Sequence, residues 1–367
     1  MALVSKSELL LKILLYCQLY FLLEFHLFFL QLCDELDGGK APRLVLNDGH
    51  TIPALGLGTF LGFDENGQKE AKEREVELTV TWALDAGYRL DTAALYHNED
   101  QIGVAVRSSV VPRDNIYIVT KLGVNEQRNV IQSLNRSLER LNTSYVDLYL
   151  IHSPVAFKED HKEFDVIDYL DTWKSMEEAK RLGLAKSIGI SNFNMSQIER
   201  ILAHCETKPA VLQVETFLRT INTIFVNLNL AQNKLIQFAK DNNITVMAYS
   251  PFGSLFSKSS SPPPPRVDDP TLANLSKKYN KTVPQIVLRY HTQRGVIPIP
   301  KSLHKDRIEQ NIDVFDFTLT PEEMEILSKF NKDYRIVWPS FWQDHPYYPF
   351  EIKDVPDSNI FEQGLKE

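Results

Sequence analysis

From Arg43 onward, short apolar runs alternate with longer stretches in which apolar residues recur every three or four positions. The first two runs, in RLVLNDGHTIPALGLGTF, are joined by Asn47, Asp48 and Gly49, turn chemistry that predicts a β-hairpin. Beyond it the pattern predicts strands at 55–58, 89–91, 116–120, 146–151, 187–191, 211–214, 245–248 and 296–299. Helical spacing predicts helices at 70–86, 99–108, 127–141, 167–182, 195–205, 231–241, 283–293 and 304–312. The strands are apolar throughout, as parallel strands covered on both faces are. Strand followed by helix, repeated eight times, predicts an α/β fold closed into a (β/α)8 TIM barrel behind an N-terminal β-hairpin, rather than an open doubly wound sheet. No G-x-G-x-x-G follows an early strand, so a Rossmann site is not expected.

Upstream of the hairpin the pattern changes. Residues 9–33 form a hydrophobic N-terminal segment interrupted by Lys12, Gln18, Glu24, His26 and Gln31. The stretch is long enough to span a bilayer, but a carboxylate at its middle costs roughly 2.5–3.5 kcal/mol. Its charge-free pieces, 13–23 and 25–33, are each too short to cross alone. Lys6 and Lys12 ahead of an apolar centre fit a signal peptide in part, without a small-x-small cleavage pattern behind them. Three readings stand open: a signal or anchor, a helix lying on the barrel, and upstream sequence joined on by a gene model. The chain is accordingly divided into an extension at 1–41, a barrel domain at 42–355 and a C-terminal tail at 356–367.

The length of 367 residues, with 43% hydrophobic and 24% charged, admits one large barrel with additions. A net charge of −8 and a pI near 5.7 leave no concentrated basic surface, so no nucleic-acid partner is expected. A membrane partner follows only if 9–33 is a genuine anchor. A local phosphate site stays open, because a few cations at one helix N-terminus suffice whatever the total charge. Cys17, Cys33 and Cys205 are odd in number and widely spaced, which predicts no disulfide framework and no metal site. Cys205, read as lying on a helix near Leu202, is expected to pack in the core.

In a barrel of this kind, chemistry sits where the strands end. The polar residues just past the apolar runs are Asp91 and Tyr96, Lys121, His152, Ser191 with Asn192, Gln213, and Tyr249. One rim would collect them all.

This set, in this order, resembles the aldo-keto reductases over about residues 42–355. The motifs that carry the resemblance are GLGTF at 56–60, GYRLDTAALYHNE at 87–99, VTKLG at 119–123, DLYLIHSPVAFK at 147–158, KSIGISNFN at 186–194, LQVE at 212–215, AYSPFG at 248–253 and IPIPKSLHKDRIEQN at 297–311. The resemblance implies NADPH-dependent reduction of a small-molecule aldehyde or ketone, with Tyr96, Lys121, Asp91 and His152 as the catalytic set. Hydride addition leaves charge on the carbonyl oxygen, so an acid must donate a proton, and a phenol with an ordinary pKa near 10 is a reluctant donor at neutrality. A lysine beside Tyr96 favours the phenolate, Asp91 holds the lysine, and His152 orients the carbonyl.

The same resemblance implies cofactor contacts from Gly58, Thr59, Ser191, Asn192, Gln213, the Tyr249 ring and Ser250. It implies a 2′-phosphate site at Lys301, Ser302, His304, Arg307, Gln310 and Asn311, favouring NADPH and NADP+ over NADH. Substrate-lining residues are expected at Phe60, Ser153, Trp338 and Trp342. A cytoplasmic monomer is what the family implies for the barrel, and a secreted or anchored protein if the extension is genuine. Within the family, the sequence is similar to arthropod members that reduce 3-dehydroecdysone and related steroids.

Several features depart from that pattern. The second strand usually reads GYR-x-Ile-Asp in the family, whereas here one residue is missing before Asp91. A one-residue slip turns side chains to the other face. The slack is expected near Gly87, leaving Asp91 inward. Residues 216–225 read as an insertion on the rim, either a flap over the nicotinamide or a retained intron. Ser153 replaces an aromatic, predicting a more open and polar pocket beside His152. The Pro- and Ser-rich stretch 254–270 is expected to be a flap over the cofactor, and the aromatic segment 335–350 to close one side of the pocket or simply to pack on the barrel. These departures leave a second reading: a barrel that binds NADPH without turnover, in a regulatory or structural role.

Overall fold

The computed structural model describes residues 41–64, 67–160, 163–214, 232–256, 265–331 and 342–350. The expected extension at 1–40, the insertion at 216–225, Trp338 and the tail lie outside the described residues.

The hairpin is β1 (Arg43–Val45) paired antiparallel with β2 (Thr51–Pro53), and Gly49 supplies the positive φ of 85° that its turn requires. Eight parallel strands follow: β3 (Gly56–Gly58), β6 (Arg89–Asp91), β7 (Ile118–Leu122), β8 (Val146–Ile151), β9 (Ala185–Ser191), β10 (Val211–Val214), β11 (Thr245–Tyr249) and β12 (Val296–Ile299). They lie side by side in chain order, and the Gly58 N–H donates to the Pro300 carbonyl at 3.0 Å, joining first to last. The barrel is the predicted one. Between β3 and β6 comes a small unpredicted pair, β4 (Phe63–Asp64) with β5 (Gly67–Gln68).

The helices that cover the strands are α1 (Glu75–Asp85), α2 (Glu99–Ser108), α3 (Val130–Leu141), α4 (Tyr169–Arg181), α5 (Met195–Leu202), α6 (Asn233–Asp241), α8 (Val283–Gln293) and α9 (Lys305–Ile312). Two more were not expected, α7 (Pro270–Tyr279) and α10 (Pro321–Ser328). Both open on a cap with Pro in the first turn: Asp269 accepts from the Thr271 N–H, and Thr320 forms a capping box with Glu323. Of the stretch 254–270 expected as a flap, residues 257–264 lie outside the described residues; at its two ends Leu255 is buried against Leu272 and Leu275, and Pro270 begins a helix. Cys205 lies just past α5 rather than on it, half-buried against the core.

Strand alternation divides the core in two. Leu90, Ile118, Tyr149, Ile151, Ile188, Ile190, Leu212 and Val246 face the helices, whereas Val119, Leu148, Leu150, Val211, Met247, Ile297 and Ile299 fill the barrel above Leu46 and Ile52 of the hairpin. One step further along the inward set stand Lys121, Gln213 and Tyr249. Helix contacts are close enough to be tested: a methyl on Gly103 of α2 would lie 2.2 Å from the Arg140 carbonyl oxygen of α3. Gly103→Ala is expected to cost about 1–3 kcal/mol, read as a lower denaturant midpoint; an unchanged midpoint would contradict that packing.

Candidate active site

Asp91, Lys121 and Tyr96 meet because each stands at or just beyond the end of a strand. Asp91 ends β6, Lys121 is one residue from the end of β7, and Tyr96 closes a single 3-10 turn, Ala94–Tyr96. Lys121 Nζ donates to Asp91 Oδ1 at 2.6 Å, to the Thr92 carbonyl at 2.8 Å and to the Tyr96 hydroxyl at 3.3 Å. Its three donors are thereby used. Burial disfavours the ammonium, but the Asp91 carboxylate and Tyr96 outweigh it and hold Lys121 above its ordinary pKa. The other Asp91 oxygen accepts from Gln213 Nε2 at 2.7 Å.

His152 stands one residue past β8, its ring edge-on to Tyr96 with centroids 5.8 Å apart. The Asn192 amide donates to the His152 carbonyl at 2.8 Å and steadies the backbone there. Burial first, and the Lys121 charge second, push the imidazole down to about 3, so His152 is neutral. Its Nδ1 is buried with no hydrogen-bond partner among the described residues. A neutral imidazole beside a phenol that touches an ammonium can orient a carbonyl oxygen while the phenol gives up a proton.

The shortened strand leaves Asp91 inward, with Gly87 at φ 86° ahead of it. The change falls on the preceding residues. Tyr88 reaches outward to the Ile308 carbonyl at 2.7 Å, while Arg89 is wholly buried inside the barrel, its Nε donating to the Pro53 carbonyl at 3.1 Å. Arg89 Nη1 lies 3.8 Å from Asp91 Oδ2.

The residues expected at a cofactor occupy the same rim in two groups. Ser191 is fully buried, Asn192 takes the left-handed φ of 63°, and the Tyr249 hydroxyl donates to Asn192 Oδ1 at 3.1 Å. Gly58 runs so close to Ile299 that a Cβ would lie 3.3 Å from it, Thr59 is anchored on the Asp91 carbonyl at 3.0 Å through its N–H, and Ser250 has φ 50°. In the second group His304 caps α9 without a side-chain bond, and its N–H reaches Ser302 Oγ at 3.1 Å. Lys301, Arg307 and Gln310 are exposed, whereas Asn311 is buried. Neither Lys301 nor Arg307 has a carboxylate within 4.0 Å among the described residues. Desolvation by the surrounding protein first, and the facing Lys69 ammonium second, hold Lys301 below its ordinary pKa.

On the substrate side, the Phe60 ring stands 5.0 Å from that of Tyr96. Ser153 does not open a polar pocket: it is 1% exposed, and its Oγ accepts the Val155 N–H at 3.2 Å. Trp342 packs on Phe157, with ring centroids 5.7 Å apart, beside Val124 and Val155. Sequence reasoning missed the Thr92 carbonyl, Arg89 and Lys69. For Lys69 the Glu65-Asn66-Gly67 turn signal was there to be read. Among the described residues no three His, Cys, Asp or Glu side chains group as metal ligands, and no helix is long and apolar enough to cross a membrane.

Comparison with known proteins gives the same outline. The model of the aldo/keto reductase family matches residues 54–332. Aldo-keto reductase AKR2E4 of Bombyx mori is 45% identical over 322 residues, spanning 84% of this chain and 99% of that protein. Its crystal structure in complex with NADP superposes with a TM-score of 0.77 at 44% identity, covering 84% of this chain and 99% of that one. The Bombyx mori AKR2E5 structure complexed with NADPH gives a TM-score of 0.80 at 37% identity, covering 89% and 98%. A mouse protein named estradiol 17 beta-dehydrogenase 5 is 39% identical over 332 residues, 85% of this chain and 98% of that protein.

Proposed function

The chain belongs to the aldo/keto reductase family, and from that premise we propose that it reduces an aldehyde or ketone to the alcohol with NADPH, using Tyr96 as proton donor. The observation that carries this reading is the contact of 3.3 Å between Lys121 Nζ and the Tyr96 hydroxyl, with Asp91 behind the lysine. When bound, NADPH supplies the hydride. Tyr96 gives its proton to the carbonyl oxygen, Lys121 steadies the phenolate left behind, and Asp91 keeps Lys121 charged and in place. His152, neutral, holds the carbonyl oxygen within reach of Tyr96.

The residues suit that cofactor. Two cations without carboxylate partners among the described residues, Lys301 and Arg307, flank the open N-terminus of α9, an arrangement that favours a phosphate. Ser191, Asn192 and the Gln213 side-chain oxygen offer partners to a carboxamide, and Tyr249 offers a ring face. Purified full chain should consume NADPH in the presence of 4-nitrobenzaldehyde. Tight NADPH binding with no consumption would instead favour the reading without turnover. Arg307→Ala is expected to weaken NADPH binding roughly tenfold to a hundredfold while leaving NADH within about threefold; equal losses for both would remove the 2′-phosphate assignment.

Steroid ketones are the substrate class we assign, supported by the mouse relative's name and by the Phe60 ring beside Tyr96, which suits an apolar skeleton. A steroid ketone should give a kcat/KM at least equal to that of 4-nitrobenzaldehyde. A value far below it would restrict the assignment to small aldehydes.

A further inference from the structure

Behind the Lys121–Asp91 pair the barrel carries a third charge. Arg89 is wholly buried, and among the described residues its Nη1 and Nη2 find no hydrogen-bond partner. Only Nε is satisfied, by the Pro53 carbonyl at 3.1 Å. The guanidinium has room because Gly56 lies opposite it in the register of β3 and β6; a Cβ there would stand 2.7 Å from Arg89 Cζ. Arginine stays charged even when buried, so this cation has nowhere to discharge. Its nearest carboxylate is Asp91, whose Oδ2 is 3.8 Å away and whose Oδ1 already serves Lys121 at 2.6 Å. One carboxylate therefore faces two ammonium-type charges.

We propose that Arg89, turned inward by the shortened second strand, is a positioning residue that acts through Asp91 to make the buried cluster behind Tyr96 net cationic. Lys121 and Asp91 alone would sum to zero. With Arg89 the sum is one positive charge, set against a phenol whose ionised form it favours. The groups facing Tyr96 are Lys121 from β7, Asp91 of β6 behind it, and neutral His152 beyond β8. Those facing Arg89 are Asp91 and the buried Tyr117 hydroxyl, and the charges acting on Tyr117 in turn are Asp147, Asp48 and Arg43. Arg89 is wholly buried behind Asp91, and its effect is on where Tyr96 titrates.

The sign is fixed by the chemistry. Carbonyl reduction needs Tyr96 protonated, so its rate falls as pH rises through the phenol's titration. Alcohol oxidation needs the phenolate and rises through the same point. Removing the Arg89 charge should move both transitions to higher pH.

The proposal rests on Tyr96 being the proton donor, so the test separates the two. Arg89→Met, Arg89→Gln and Arg89→Lys are made in the full chain, with folding checked by thermal unfolding and by NADPH binding. Profiles of kcat/KM against pH are recorded for 4-nitrobenzaldehyde reduction and for oxidation of the matching alcohol. The neutral variants should shift the basic limb upward by on the order of one pH unit, as loss of a buried charge does at an effective dielectric of about 20; Arg89→Lys should return it. Limbs unmoved in a folded neutral variant, or moved equally by Arg89→Lys, would overturn the role of Arg89. Should the wild-type chain show no turnover, the proton-donor reading fails on its own. The tyrosinate absorbance difference between chains with Tyr96 and with Tyr96→Phe then reads the phenol directly, with and without Arg89. A midpoint independent of Arg89 would overturn the proposal.

Discussion

Tyr96→Phe is expected to lower kcat for carbonyl reduction by about 10²–10⁴-fold, the usual worth of a positioned general acid, while NADPH affinity stays within about threefold. The ring keeps its neighbours in this variant, Phe60 with centroids at 5.0 Å and His152 at 5.8 Å, so only the hydroxyl is lost. Nothing nearby replaces it. Lys121 spends its other two donors on Asp91 and the Thr92 carbonyl, both within 2.8 Å. His152, pushed down to about 3, holds no proton to give near neutrality beyond the one its neutral ring keeps. Cofactor binding should survive, since among the described residues none of the groups proposed to hold NADPH bonds to the Tyr96 hydroxyl, which Lys121 contacts. Single-turnover rates with saturating NADPH make the comparison. A Tyr96→Phe enzyme retaining more than about a tenth of the wild-type rate would show that the proton comes from elsewhere.

The barrel was legible because its strands are buried on both faces and its helices are amphipathic, so period and apolar run length both speak. Bounds differed where packing, not pattern, decides: β7 runs to Leu122, past the expected 120, since Lys121 is inward on a strand that continues through it. Helices α7 and α10 were hidden by their surroundings. Pro270 follows a Pro- and Ser-rich stretch that reads as loop, yet Asp269-Pro270 and Thr320-Pro321 are cap signals in plain view. The rim residues were legible one by one, because each follows an apolar run. What linear spacing does not encode is partnership. That Gln213 donates to Asp91, 122 residues away in sequence, emerges only when β6 and β10 face one another across the barrel. Ser153 shows the opposite failure: a polar residue at the right place turned its hydroxyl into its own turn. The missing residue before Asp91 was legible as a slip, but its consequence was sought at Asp91 and fell on Arg89 instead.

Asp91→Asn should damage stability and catalysis together, and for one reason. Asp91 is the carboxylate paired with both Lys121 and Arg89, and all three side chains are buried. Asparagine keeps the shape and removes the charge, leaving two cations with no counter-ion. Breaking a buried pair from one side costs about 3–5 kcal/mol, because the remaining charge is desolvated without compensation. Lys121 can escape by losing its proton, since burial now acts unopposed by Asp91, but a neutral amine no longer favours the Tyr96 phenolate. Either outcome lowers activity, and urea unfolding should report the stability loss as a lower midpoint at unchanged slope. The double variant Asp91→Asn with Lys121→Met separates the two effects. Removing the stranded ammonium should recover a large part of the lost stability, while reduction stays at the level of Lys121→Met alone. Interaction energies of contacting residues run to about 0.5–3 kcal/mol, so the stability losses should fall well short of additive. Strict additivity, or a double variant that regains activity, would mean that Asp91 neither anchors Lys121 nor works through it.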